Sequence, residues 1–261
     1  MNLRIIEKLF NRYILVIIFL ILWEVSTRLN IISPIFVPPF TKVIKVIFNM
    51  IESGTFIVNV RISLFRATSG FIIASLIGIP IGFLLGGWFK KVKLALDMLL
   101  EVCSQVNPFL MFHVIVLFLG IGEFSKISII VWTCLWPIIF STINGIANVN
   151  PELLKMGRTF GLGKVSMFYK IVLPATAPAI FSGLRLAAGY ALLMITAAEM
   201  MGSKSGLGYL IINSQENFKI TEMYASVLII AIVALVVDYI MEKLEKKFTK
   251  FEDEGIINSN Y

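Results

Sequence analysis

Ionisable and amide side chains set inside long apolar runs are the residues of this chain with the most chemical capacity, because at membrane depth each must face protein or water. Asp97, Glu101 and Gln105 recur every four residues and so share one helix face, with Asn107, Pro108 and His113 following. A stripe of that kind suits the lining of a polar route through a bilayer. Glu101, Gln105, Asn107, Trp136, Asn144 and Glu199 are accordingly the pathway candidates. A second reading sets Asp97 and Glu101 at the cytoplasmic interface and leaves only Gln105 and Asn107 deep; spacing alone does not decide between them. Trp132 and Trp136 suit stacking on a solute as well as packing a helix interface. Arg185 and Glu199 lie fourteen residues apart, about 21 Å along one helix, so each must find its own partner. An unpaired Arg at mid-bilayer costs on the order of 3 kcal/mol.

Several chemistries are absent. His113 is the only histidine, which rules out a metal centre built on several imidazoles. No nucleophile and base form a recognisable pair, and no Gly-rich loop ends in Gly-Lys-Ser or Gly-Lys-Thr, so neither enzymatic catalysis nor the usual mode of ATP binding is assigned to the chain. No catalytic residue, metal ligand or bound cofactor is expected. Cys103 and Cys134 fall inside apolar segments and are expected as free thiols. The net charge of +7 is spread between apolar segments, which argues against a nucleic-acid surface.

The elements that must position these residues are membrane helices. With 58% hydrophobic residues, 15% charged residues and a mean hydropathy of +0.89, the chain of 261 residues is expected to be a single polytopic domain, an all-α bundle. Six spans are predicted at about 13–29, 65–88, 95–119, 126–147, 176–200 and 223–241. The first follows Arg4, Lys8 and Arg12 and lacks a small-residue cleavage site, so it reads as a retained anchor with a cytoplasmic N-terminus. An external connection with Pro34, Pro38 and Pro39 leads to an amphipathic helix at 41–51, suited to the membrane interface or to a partner. In the second span Gly70, Ala74, Gly78, Gly82 and Gly86 recur every four residues, a small-residue face that admits a neighbouring helix closely. Ala179, Gly183, Ala187 and Ala191 repeat the pattern in the fifth. Lys90, Lys91 and Lys93, and later Lys243, Lys246, Lys247 and Lys250, mark cytoplasmic ends, so both termini are expected there. Residues 201–221 read as an external segment with turns at Gly202, Gly206 and Gly208.

Between the fourth and fifth spans, residues 150–174 form a basic, amphipathic cytoplasmic loop. Asn150 is placed to cap a short helix, Pro151 fits its first position, and Glu152 complements its positive end. Leu153, Met156 and Phe160 then fall on one face, with Lys155, Arg158 and Thr159 on the opposite one. Gly161 is expected to take the left-handed turn that ends the helix. A second short helix carries Val165, Phe168 and Val172 and is expected to stop at Pro174.

This loop resembles the signature of the permease subunits of binding-protein-dependent ABC importers: Glu-Ala-Ala, three residues, Gly, about nine residues, then Ile or Val, one residue and Leu-Pro. Gly161, Ile171, Leu173 and Pro174 keep the pattern, whereas Lys155, Met156 and Gly157 replace its Glu-Ala-Ala triplet. The segments 63–71, 78–86, 117–127, 183–191 and 198–211 are similar to the nitrate, sulfonate and taurine branch of these permeases. The resemblance implies the type I importer fold, two copies of the chain in the membrane lipid, and a cytoplasmic ABC ATPase dimer that holds ATP and Mg. It also implies an extracytoplasmic substrate-binding protein that presents its solute near 201–221. Glu152, Leu153, Met156, Arg158, Thr159, Phe160 and Gly161 become the expected ATPase-coupling residues, and Gly70, Gly78, Gly82, Gly86 and Gly183 the expected packing residues. The implied cargo is a small anion such as nitrate, a sulfonate or taurine, taken up by alternating access across the plasma membrane of a prokaryote. Arg61, Arg66, Lys204 and Lys219 on the outer side favour an anion electrostatically. A vitamin precursor such as a pyrimidine, or an ion-coupled secondary transporter using Asp97, Glu101 and Glu199, is the alternative.

Overall fold

A computed structural model describes residues 2–257, and among these the chain is helical with no strand. Its helices are α1 (Asn2–Arg28), α2 (Phe40–Glu52), α3 (Thr55–Phe83), α4 (Lys90–Gln105), α5 (Pro108–Leu119) and α6 (Glu123–Ala147). There follow α7 (Pro151–Thr159), α8 (Lys164–Met167), α9 (Leu173–Met200), α10 (Leu207–Glu216) and α11 (Ile220–Ile257). Four helical stretches among the described residues, 55–88, 123–147, 164–200 and 220–247, are long and apolar enough to cross a bilayer. The first predicted span falls on α1. The side chains of Arg4, Lys8, Arg12, Lys90 and Lys250 lie outside the described ones.

The core is the trio α3, α6 and α9. Were a Cβ added to Gly70, Gly78, Gly82 or Gly86, it would meet Ile130, Ile138, Thr142 and Ile146 respectively, at 2.5 to 3.0 Å. Both series advance in step, so α3 and α6 run parallel along a seam of small residues that Ala74 completes. Gly183 of α9 lies against Ser141, and Gly145 of α6 against Ala179, so these two helices run antiparallel. Without a hydrophobic drive between helices in lipid, such close backbone approach supplies the van der Waals contact that holds the bundle. Ala74, Cys134, Ile138, Ala187 and Ile195 fill its centre, and the buried Cys134 thiol meets the Ala187 carbonyl at 3.2 Å.

Three expectations about the elements need correction. The third span is not one helix. The chain bends by 89° between α4 and α5. Pro108 disfavours helical backbone at the residue before it, so Asn107 is extended (φ −60, ψ 118) and its side chain accepts from Phe109 N at 2.9 Å to cap a new helix. Pro174, in turn, ends nothing. The chain is continuous helix from Lys164 to Met200, because a π turn at Phe168–Val172, in which Leu173 N donates to Phe168 O, carries the helix past the proline. Finally, residues 201–221 are more than turns: Gly202 and Gly206 take positive φ as turns require, but Gly208 lies within α10, which packs into the bundle through Leu207 and Leu210, both buried with Ile229 of α11.

Arg185 and Glu199 do find separate partners. Arg185 makes a two-pronged pair with Asp238 of α11 at 2.7 and 2.9 Å, and Glu242 and Glu245 lie one and two turns further along α11 at 3.5 and 3.3 Å.

Candidate functional site: a projecting helix and a charge network

The helix α7 is built by local chemistry at both ends. Asn150 is extended and its Oδ1 accepts from Glu152 N at 2.8 Å, while Pro151 occupies the first turn where no N–H is needed. At the other end Gly161 adopts φ +71, Gly161 N donates to Arg158 O, and Leu162 N donates to Gly157 O, both at 3.0 Å. This six-to-one and five-to-two pair of bonds is a Schellman cap, which satisfies carbonyls that the helix end would leave bare.

α7 is seated through a residue named on neither of the two expected faces. Its one buried residue is Gly157, where an added Cβ would lie 2.6 Å from Ile171 and would also meet Leu162 and Met167. Leu153, Met156 and Phe160 are 42, 54 and 78% exposed, and Glu152, Lys155, Arg158 and Thr159 are exposed as well. The helix therefore rests on the bundle through a glycine and leaves its apolar knobs uncovered.

The predicted pathway residues do not converge within the chain. Glu101 and Gln105 face outward from α4 beside a shallow cleft with Met98 and Val102. Asp97 lies 4.0 Å from Lys93 on the same helix, Asn107 serves as the α5 cap, and Asn144 is exposed on α6. Trp136 packs edge-on against Trp132 with ring centroids 5.2 Å apart, and both indole nitrogens are buried without a hydrogen-bond partner among the described residues. His113 is exposed, its Nδ1 at 2.9 Å from Phe109 O. Glu199 is 1% exposed, enclosed at the far end of α9.

Around Glu199 stands the network that reading the sequence missed. Ser63 Oγ donates to its carboxylate (2.7 and 2.9 Å), as do Arg66 Nη1 (2.8 Å) and Gly208 N (3.0 Å). A side chain at Gly206 would collide with the same carboxylate. Gly206 N donates to Asn59 Oδ1 at 2.7 Å, Leu207 N to Ser63 Oγ at 2.8 Å, and Arg66 Nη1 also to Ser205 O at 3.0 Å. The other edge of Arg66 meets Glu123, the first residue of α6: Nε to Oε2 at 2.5 Å and Nη2 to Oε1 at 2.6 Å. Lys126 Nζ stands 3.3 Å from Glu123 Oε1. Arg66 is thus no free surface cation. It binds α3, α6 and α9 and the segment before α10 into one polar knot, as burial of a charge requires. The signal available beforehand was single charges, Arg66, Glu123, Lys126 and Glu199, within or beside apolar runs.

With α7 at one end and this knot at the other, the bundle matches a known architecture. Residues 78–250 match the family described as binding-protein-dependent transport system inner membrane component. The chain belongs to that family. A putative aliphatic sulfonates transport permease, SsuC of Bacillus subtilis, is 31% identical over 89% of this chain and 84% of its own length. The taurine transport system permease protein TauC of Escherichia coli is 27% identical over 92% of this chain and 88% of its own. A solved amino acid ABC transporter with histidines shares the fold, with a TM-score of 0.62 at 18% identity over 78% of this chain and 97% of that one. The chain is an ABC transporter permease of the sulfonate, taurine and nitrate branch, a transmembrane transport subunit.

Proposed function

We propose that two copies of this permease form the pore of an ATP-driven importer. A dimeric ABC ATPase docks on the face that carries α7, and an extracytoplasmic binding protein delivers a small anion, such as a sulfonate, taurine or nitrate, to the opposite mouth. The observation that carries the proposal is the uncovered row Leu153, Met156 and Phe160 on a helix capped at both ends and seated on the bundle. An apolar helix face of that size suits a hydrophobic groove in a partner, with Lys155 and Arg158 at its polar rim. ATP and its magnesium belong to the ATPase in this reading, since no phosphate-cradling loop is present in the sequence. Lys91, Lys93, Lys243, Lys246 and Lys247 mark the same side as cytoplasmic.

Closure of the ATPase pair moves α7, and the contact of Gly157 with Ile171 passes that movement to the helix 164–200. Thirty-seven residues of continuous helix reach about 55 Å, so a tilt at the docking face is felt at Glu199 on the outer side. An ion-coupled carrier is the weaker reading: Glu199 is already ion-paired to Arg66, and Asp97 lies beside Lys93.

The test is Gly161→Trp in the reconstituted transporter. The permease is expected to reach the membrane but to lose co-purification with its ATPase or ATP-driven uptake. Wild-type uptake by this variant would overturn the assignment.

A further inference from the structure

Arg66 holds two carboxylates in unequal settings. Its Nη1 edge points inward to Glu199, whose side chain is wholly enclosed, whereas its Nε and Nη2 edge points to Glu123, whose side chain is 56% exposed. That second edge borders an open groove of about 870 Å³ that runs along α3, with Arg66, Arg61, Phe56, Ile62 and Phe65 from that helix and Glu123 from α6. Three donors of positive potential converge where the Glu123 carboxylate sits: the Arg66 fork, the buried Lys126 ammonium, and the first turn of α6, whose Gly122 offers no side-chain cap.

From this convergence we infer that the outer edge of Arg66 is an oxyanion receptor and that Glu123 is its internal occupant, displaced when cargo arrives; the inference rests on the importer reading above. Charge sets the class of ligand. Arg66 and Lys126 balance Glu123 and Glu199, so a Glu123 that swings into solvent leaves one uncompensated positive charge, which a monoanion neutralises and a dianion overshoots. Geometry narrows it further, because the fork grips two oxygens on one centre, as a sulfonate or nitrate presents them. The apolar α3 side chains Phe56, Ile62 and Phe65 along the groove give an organic tail a surface to lie on, hence an alkanesulfonate over nitrate. Arg61, exposed on the rim of the same groove, is screened by water, so it steers an anion inward without changing the charge count of the buried groups.

Full-length permease in detergent, titrated calorimetrically with butanesulfonate, nitrate and sulfate, tests this. A carboxylate on a short tether competes at an effective concentration in the millimolar range, so Glu123→Gln is expected to tighten butanesulfonate binding by about tenfold or more. Arg66→Lys, which keeps the charge and loses the fork, is expected to abolish that gain, and sulfate is expected to bind more weakly than butanesulfonate. Equal affinity in wild type and in a Glu123→Gln variant of unchanged melting temperature overturns the inference, as does an undiminished gain with Lys at position 66. If Glu123→Gln does not fold, Arg61→Ala on the exposed rim carries the test, and unchanged affinity there is the refuting result. Binding as described without ATP-driven sulfonate uptake removes the importer reading and leaves the receptor; uptake with no response to Glu123→Gln removes the receptor and leaves the importer.

Discussion

Replacing Glu199 with Gln changes a single atom type in the knot, and the donors around it fix the size of the effect. Oε1 accepts from Arg66 Nη1 and Ser63 Oγ, and Oε2 accepts from Gly208 N and Ser63 Oγ. An amide must set its NH2 against either Arg66 or Gly208, so one contact becomes donor against donor whichever way it is turned. The loss is one charge-assisted hydrogen bond, about 1.5–3 kcal/mol, plus one buried donor left unmade, about 1–3 kcal/mol. Glu123 still compensates Arg66, which keeps the total near 3–5 kcal/mol and not higher. For a chain of this size the melting temperature in detergent should fall by roughly 6–20 °C. The companion variant Arg66→Met, alone and combined with Glu199→Gln, closes a double-mutant cycle in which the two losses are strongly non-additive. A melting temperature within about 2 °C of wild type for Glu199→Gln, or additive losses in the cycle, would refute the claim that this pair fastens its end of the bundle.

Further outcomes follow from the packing and the caps. Gly82→Ala drives a methyl to 2.5 Å from Thr142 Cβ and should cost about 1–3 kcal/mol in thermal denaturation, whereas Gly87→Ala, with open space around it, should leave stability within about 0.5 kcal/mol. Phe160→Ala, at a residue 78% exposed, should leave the melting temperature of the isolated permease unchanged while weakening its co-purification with the ATPase. Pro108→Ala removes the constraint that holds Asn107 extended; spin labels on α4 and α5 should then report a wider separation between their far ends as the 89° bend relaxes, and an unchanged distance distribution would show that tertiary packing sets the bend.

What could be read beforehand was local or periodic. The ends of α7 are set by residues within a turn of each other, Asn150 with Glu152 and Gly161 with Arg158, so residue type and spacing sufficed. The glycine face of α3 was visible as a repeat, though not its partner, since nothing in the repeat names Ile130 or Thr142 of α6. The knot was invisible for the opposite reason: Arg66 meets Glu123 across 57 residues and Glu199 across 133, distances that only the folded bundle closes. The bend at Asn107 and Pro108 was written in the sequence but masked, because apolar residues continue on both sides and hydropathy does not register a break in the backbone. The same blindness hid the passage of the helix through Pro174, where a π turn absorbs what proline withholds.

That π turn has a mechanical consequence. Had the chain stopped at Pro174, α7 and α8 would hang from the bundle by a joint, and a force on Phe160 would be spent on local rearrangement. With Leu173 N bonded to Phe168 O, the helix from Lys164 to Met200 is unbroken. Its lower end is pinned to α7 by Ile171 against Gly157, and its upper end to α3 and, through Arg66, to α6 by Glu199. A rod fixed at both ends transmits tilt with little loss in a close-packed interior. The two features that mark this permease, a projecting helix and a buried charge knot, are therefore ends of one element, and a displacement at either must be accommodated at the other or broken between them. Of the two ends, the knot has the softer member, since the pairing of Arg66 with the half-exposed Glu123 costs less to open than its pairing with the enclosed Glu199. Under the proposed docking at α7, the first contact to yield is the one that frees the Arg66 fork, which would link a force at one end of the bundle to the availability of a positive group at the other.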